Sequence, residues 1–107
     1  IDIIRRMDPQ DKKGYIDKIE LSLAKAPAGK REWDKAIESM SKFIETHKDS
    51  KMLPRAHWWL AVYYYQSGKK DKCIETFSEL IKKFPGSDEA KRAKQVLPQV
   101  KKELGGK

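Results

Sequence analysis

Trp33 to Ser50 reads WDKAIESMSKFIETHKDS, and Lys70 to Ser87 reads KDKCIETFSELIKKFPGS. The two align without a gap at an offset of 37 residues, with seven of 18 positions identical: Asp34/Asp71, Lys35/Lys72, Ile37/Ile74, Glu38/Glu75, Ser41/Ser78, Ile44/Ile81 and Ser50/Ser87. Where they differ, apolar positions stay apolar, as in Met40 against Phe77. Carried backwards, the same offset pairs Leu23 with Leu60 and Ala24 with Ala61. The repeating unit is therefore two elements long. A period of this size is the mark of a supersecondary unit that cannot bury its apolar face alone and does so by stacking on its neighbour.

Both elements read as helices. In the second copy Cys73, Ile74, Phe77, Leu80, Ile81 and Phe84 fall along one side of a helix of 3.6 residues per turn, and Trp33, Ala36, Ile37, Met40, Phe43, Ile44 and His47 do the same in the first. Pro85-Gly86 stops the second copy. Ser87 then suits an N-cap, with Asp88 and Glu89 in the positive first turn of a further helix bearing Ala90, Ala93, Leu97, Val100 and Leu104. Pro98 lies inside that pattern and is expected to kink or split it. At the front, Asp8 caps and Pro9 opens a helix carrying Tyr15, Ile16, Ile19 and Leu23, ended by Ala26-Pro27-Ala28-Gly29. Ser50 suits the cap of the helix through Gln66, with Gly68 at its end. Five helices follow, at about 9–26, 31–48, 51–67, 70–84 and 88–104, and no segment reads as a strand. The expected division is a tail at 1–8, one helical domain at 9–104 (first repeat about 15–50, second about 51–87, terminal helix 88–104) and a tail at 105–107. The fold class is all-α.

The composition narrows the function classes. A chain of 107 residues builds one modest core, which disfavours catalysis in a cleft between domains. Ten aromatics and clustered apolar residues disfavour wholesale disorder despite 37% charged residues. The single Cys excludes an internal disulfide framework and a multi-thiolate zinc site. No apolar run approaches the length of a membrane span, and Ile1 to Asp8 is too short and too charged for a signal peptide. Beginning with Ile rather than Met, the chain reads as a mature form or an excised domain. The formal charge of +8 favours acidic partners.

Catalytic candidates are few. Cys73 sits on the apolar stripe and reads as a buried, inert thiol; His47 and His57 read as packing residues rather than metal ligands. Gly29-Lys30 and Gly68-Lys69 lack the pattern of a phosphate-binding loop. No catalytic residue, cofactor or metal is expected. Lys69, Lys70, Lys72, Lys82, Lys83, Lys91, Arg92 and Lys94 crowd the second half, but Asp71, Glu75, Glu79, Asp88 and Glu89 are interleaved with them. That interleaving describes a solvated helix surface better than a nucleic-acid or lipid patch.

Residues His57-x2-Leu60-Ala61-x2-Tyr64, then Cys73-x3-Phe77, then Pro85, resemble the tetratricopeptide repeat, a helix-turn-helix with the pattern W-x2-L-G-x2-Y, A-x3-F, P. Leu, Tyr, Phe and Pro are identical, Ala61 and Cys73 keep the small positions, and His57 departs from the large aromatic. The first copy is weaker: Pro27 falls where the Tyr belongs and Lys48 where the Pro belongs. The form WWLAVYYYQSG, then FSELIKKFPGSDEAKRA, is similar to repeats of bacterial cell-envelope proteins, the Tol-Pal accessory and outer-membrane assembly lipoproteins. That likeness implies the periplasm or cell envelope, with the cytoplasm as the alternative.

The resemblance implies a right-handed stack of antiparallel helix pairs whose first helices line a concave groove for a protein or peptide. The helix around 51–67 is apolar nearly all round. By the family register Leu60, Tyr63, Tyr64 and Ser67 would face its own partner helix, Trp59 would go to packing, and Arg55, Trp58, Val62, Tyr65 and Gln66 would line the groove. Lys18, Leu21 and Lys25 from the first helix and Arg92 and Val96 from the last would join them. The carboxylate-clamp arrangement of chaperone-binding members is not matched, because Trp59 stands where an Asn would be needed. The function implied is non-catalytic protein binding. Self-association through the same aromatics and nucleic-acid binding through the Lys-rich faces are the alternatives.

Overall fold

The computed structural model describes residues 18, 21–23 and 25–105. Among them every regular element is a helix. After an N-terminal helical stretch, helical at 18, 21–23 and 25–29, come α1 (Trp33–Thr46), α2 (Leu53–Gln66), α3 (Lys70–Lys83) and α4 (Asp88–Gly105). The expected start at Asp8-Pro9 and the 1–8 tail lie outside the described residues. Helices pack on their neighbours in sequence, and α2 also touches α4, so the architecture is an all-α, tetratricopeptide-like stack.

The repeat is legible in the backbone down to its turns. At the end of α2, Lys69 N–H donates to Tyr64 O at 2.8 Å and Gly68 N–H to Tyr65 O at 3.1 Å, with Gly68 at φ 86°. This is the Schellman closure, in which a left-handed residue turns the chain and satisfies the last carbonyls. Exactly one period earlier would place Arg31 there, and Arg31 does stand at φ 60°, with Glu32 N–H donating to Pro27 O at 3.0 Å and Arg31 N–H to Ala28 O at 3.0 Å. The N-terminal helical stretch thus continues through Pro27 to residue 29, beyond the expected stop near 26. Helix ends match as well: His47 after α1 and Phe84 after α3 close with similar angles, donating their N–H to Phe43 O and Leu80 O, both at 2.9 Å.

Caps account for the remaining boundaries. Ser87 Oγ accepts from Ala90 N–H at 3.0 Å, and Asp88 and Glu89 occupy the first turn of α4, as expected. Ser50 Oγ accepts from Met52 N–H at 3.0 Å, so it organises the turn before α2 rather than capping the helix itself. The expected split at Pro98 does not occur, since α4 is continuous through it. Proline has no N–H for the Lys94 carbonyl, but Lys94 and Pro98 are both exposed, so water can serve that oxygen.

Two apolar clusters share α2 between them. In the first, Leu21, Ala36, Met40 and Phe43 meet Ala56, Leu60 and Tyr63, with Trp33 and Trp59 packed alongside. In the second, Ala61 meets Cys73, Phe77, Leu80, Ala90, Ala93 and Val100, with Trp58 and Tyr65 alongside. Tyr64 packs against both. This corrects one expectation: Leu60 and Tyr63 face the preceding repeat, not the partner helix α3. A helix covered on both sides divides its apolar residues between two neighbours, and the small Ala61 lets α3 approach the side that the family register assigned to Leu60.

Candidate functional site

The adjacent tryptophans of α2 have different surroundings. Trp59 lies under the Lys25 ammonium, 4.1 Å from the ring centroid, and stacks on Tyr63 at 6.2 Å. Tyr63 in turn meets Trp33 at 6.0 Å and is 2% exposed. Among the described residues its hydroxyl has no hydrogen-bond partner, and burial pushes its pKa up to about 12. Trp58 points the other way, its ring 5.2 Å from Phe77 and 5.6 Å from the Arg92 guanidinium.

Trp58 borders an open groove of about 350 Å³ between α2 and α4. Trp58, Val62 and Tyr65 line it from α2, Phe77 from α3, and Gln95, Val96, Gln99, Val100 and Glu103 from α4. Tyr65 OH donates to Glu103, 2.9 Å from each carboxylate oxygen, and that bond, with burial, raises the Tyr65 pKa. Lys70 Nζ lies 6.0 Å from the Tyr65 ring centroid.

Of the groove residues read from the sequence, the structure brings Trp58, Val62, Tyr65 and Val96 together along one depression. Arg92 reaches its edge through Trp58. Arg55 lies near Glu89, Nε to Oε2 at 3.7 Å, bridging α2 and α4. Gln66 lies elsewhere, lining a shallow polar depression with Arg31, Trp33 and Lys35. Leu21 is 4% exposed inside the first core, where an aliphatic side chain gains most from burial, and so offers no surface to a partner. Lys25 covers Trp59, and Lys18 is exposed on the N-terminal stretch. Gln95, Gln99 and Glu103 were missed by the sequence reading. Their i, i+4, i+8 spacing on the last helix was the available signal, hidden because the family register was followed no further than Val96.

The candidate reactive groups are held by packing. Cys73 is fully buried, and desolvation pushes its thiol up to about 11, which leaves it protonated and unreactive near neutral pH. His57 is 5% exposed, its Nδ1 lying 2.9 Å from Leu53 O, and meets Phe84 edge-on at 5.5 Å. His47 stacks on Phe43 at 4.3 Å, its Nδ1 3.0 Å from Phe43 O. Among the described residues no group of three His, Cys, Asp or Glu is placed to hold a metal ion. The lysine-rich surface is partly compensated: Lys83 pairs with Glu79 at 2.7 Å, Lys72 with Glu75 at 3.6 Å and Lys69 with Asp34 at 3.7 Å. No helix is long and apolar enough to cross a membrane among the described residues.

This geometry meets its counterpart in known families. Residues 55–87, running from the first turn of α2 through the cap of α4, match the profile of the tetratricopeptide repeat. That segment, less than a third of the chain, is therefore similar to a tetratricopeptide repeat, and the helical stack around it agrees with such a fold. Such repeats generally mediate protein–protein interaction and act as non-catalytic scaffolds. No curated protein matches the chain.

Proposed function

We propose that the chain is a non-catalytic interaction domain that holds a segment of a partner protein in the groove between α2 and α4. One observation carries this: two large aromatics, Trp58 and Tyr65, border an open apolar depression instead of being sealed in either core. Aromatic side chains in such settings dominate binding energies, because they bring much contact area with few rotatable bonds. Arg55, Gln66, Lys18 and Lys25 are not part of the groove in this proposal. Its floor and walls supply apolar contact, and the exposed Lys91, Lys94, Lys101 and Lys102 of α4 favour a partner that is acidic outside the contact.

Self-association through the same groove is tested alongside. Trp58→Ala should leave the helical circular dichroism and melting temperature near those of the parent while weakening retention of partner peptides by more than about 1 kcal/mol. A mass that rises with concentration, and falls back in Trp58→Ala, would instead make a second copy the partner. A steep loss of binding with added salt would favour nucleic acid. The cell-envelope setting rests on the resemblance of residues 58–68 and 77–93 alone; an upstream signal peptide with a lipidated Cys in the full gene product would support it, and a leaderless cytoplasmic product would refute it.

A further inference from the structure

The groove has two unlike walls. On α2 the wall is aromatic and aliphatic: Trp58, Val62 and Tyr65 at i, i+4 and i+7. On α4 Val96 and Val100 continue the apolar lining, and beside them Gln95, Gln99 and Glu103 form a polar row at i, i+4 and i+8, with steps of about 6 Å along the axis at the helical rise per residue. An extended chain repeats every two residues, about 6.6–6.8 Å, so its free backbone N–H and C=O groups fall nearly in step with that row. A helical segment satisfies its backbone internally and gains little from such a row.

Among the described residues that line the groove, Glu103 is the one with a charged side chain. The chain carries 24 Lys and Arg against 16 Asp and Glu, yet among the described residues no cation forms an ion pair with this carboxylate. Among the described residues the carboxylate accepts a hydrogen bond from the Tyr65 hydroxyl. A carboxylate offers roughly four acceptor sites, so most of its capacity stays open. The nearby cations are placed differently: Arg92 lies over the Trp58 ring and Lys70 near the Tyr65 ring. A donor with positive charge placed in the groove is drawn to this carboxylate, and an anion at the same point is repelled.

On the groove reading proposed above, we infer that the occupant is an extended segment bearing a bulky apolar side chain and, within a residue or two of it, a Lys or Arg that pairs with Glu103. Glu103 is then a specificity-determining residue, and the overall positive charge of the domain does not set the charge read inside the groove. Across most of the molecule charge acts at long range and is screened over about 8 Å at physiological ionic strength, whereas this pair would act in contact.

The test is selection from a random peptide library displayed on phage, using immobilised parent, Trp58→Ala, Glu103→Gln and Glu103→Lys proteins whose folding is first checked by circular dichroism. The parent should enrich peptides with a bulky apolar residue beside Lys or Arg, and Trp58→Ala should lose them. A synthetic copy of an enriched peptide should bind Glu103→Gln roughly 10-fold more weakly, about 1.4 kcal/mol, and Glu103→Lys should select Asp or Glu at the same place. Trp58-dependent peptides without a basic preference, or whose preference does not move in the Glu103 variants, would overturn this inference and leave the groove reading standing. Absence of any Trp58-dependent peptide would overturn both. If Glu103→Lys does not fold, the Glu103→Gln comparison decides.

Discussion

The two copies of the repeat reach the same backbone with different chemistry. Arg31 takes the left-handed position that Gly68 takes 37 residues later, Pro27 supplies the carbonyl that Tyr64 supplies, and Met40 and Phe77 fill corresponding places in the two cores. His47 and Phe84 close α1 and α3 with nearly the same angles. The second copy, residues 55–87, matches the family profile. A family pattern records which residues usually satisfy a geometry; the geometry itself asks for a left-handed turn residue, a small residue at the close approach, and volume in the core. The first copy meets those needs with residues that no pattern lists, and bears a cost where the substitute is poor.

The largest effect should come from emptying the two cores. Phe77→Ala should destabilise by about 3–5 kcal/mol and Met40→Ala by about 2–5, because each leaves a cavity in a sealed cluster. Denaturant unfolding would measure both. A difference of more than about 3 kcal/mol between them would mean that the copies do not contribute as equivalent units. Next comes the turn residue. A non-glycine side chain in the left-handed region costs about 1–2 kcal/mol, so Gly68→Arg should destabilise by about that amount and Arg31→Gly should stabilise by somewhat less, since glycine also loosens the unfolded chain. A Cβ at Gly68 meets no atom within 4 Å, so the loss would arise from the backbone angle and not from a clash.

A smaller effect concerns alkaline pH. Burial raises the Cys73 thiol from 9.0 to about 11 and the Tyr63 phenol from 10.0 to about 12. Each group keeps its proton in the folded chain when the unfolded chain has already lost it, so stability falls as pH rises from about 9 through about 12 and is flat with respect to these two groups below that window. Cys73→Ser should remove the part of the fall that begins near pH 9 and leave the part due to Tyr63. Melting curves between pH 8 and 11 that coincide for parent and Cys73→Ser would contradict the assigned burial.

Much of the fold was legible because helix period, caps and the 37-residue offset all pointed the same way. Ser87 and Gly68 were read from residue type alone. Pro98 does not split α4: proline leaves the Lys94 carbonyl without its helical donor, water can serve that exposed oxygen, and exposure is not written in a local sequence. The sides of α2 were harder: a helix apolar all round gives no periodic signal of which neighbour takes Leu60 and which takes Ala61. Within the groove, Trp58, Val62, Tyr65 and Val96 followed from register. Glu103 did not, because its meeting with Tyr65 across 38 residues depends on how α4 lies against α2. Leu21 was misplaced for the opposite reason, since a register transferred from a family says nothing about which helix end a core reaches.

Trp58 and Trp59 offer the most direct measurement of the central claim, being chemically identical neighbours on α2 that pack against different cores. The quantity to compare is the affinity of one peptide, selected on the parent protein, for Trp58→Ala and for Trp59→Ala at a temperature where both are folded. The account predicts that Trp58→Ala loses more than about 1 kcal/mol, roughly fivefold or more in Kd, while Trp59→Ala binds within about twofold of the parent and shows its loss in stability instead. Equal weakening in both variants, or a loss confined to Trp59→Ala, would contradict a binding groove between α2 and α4.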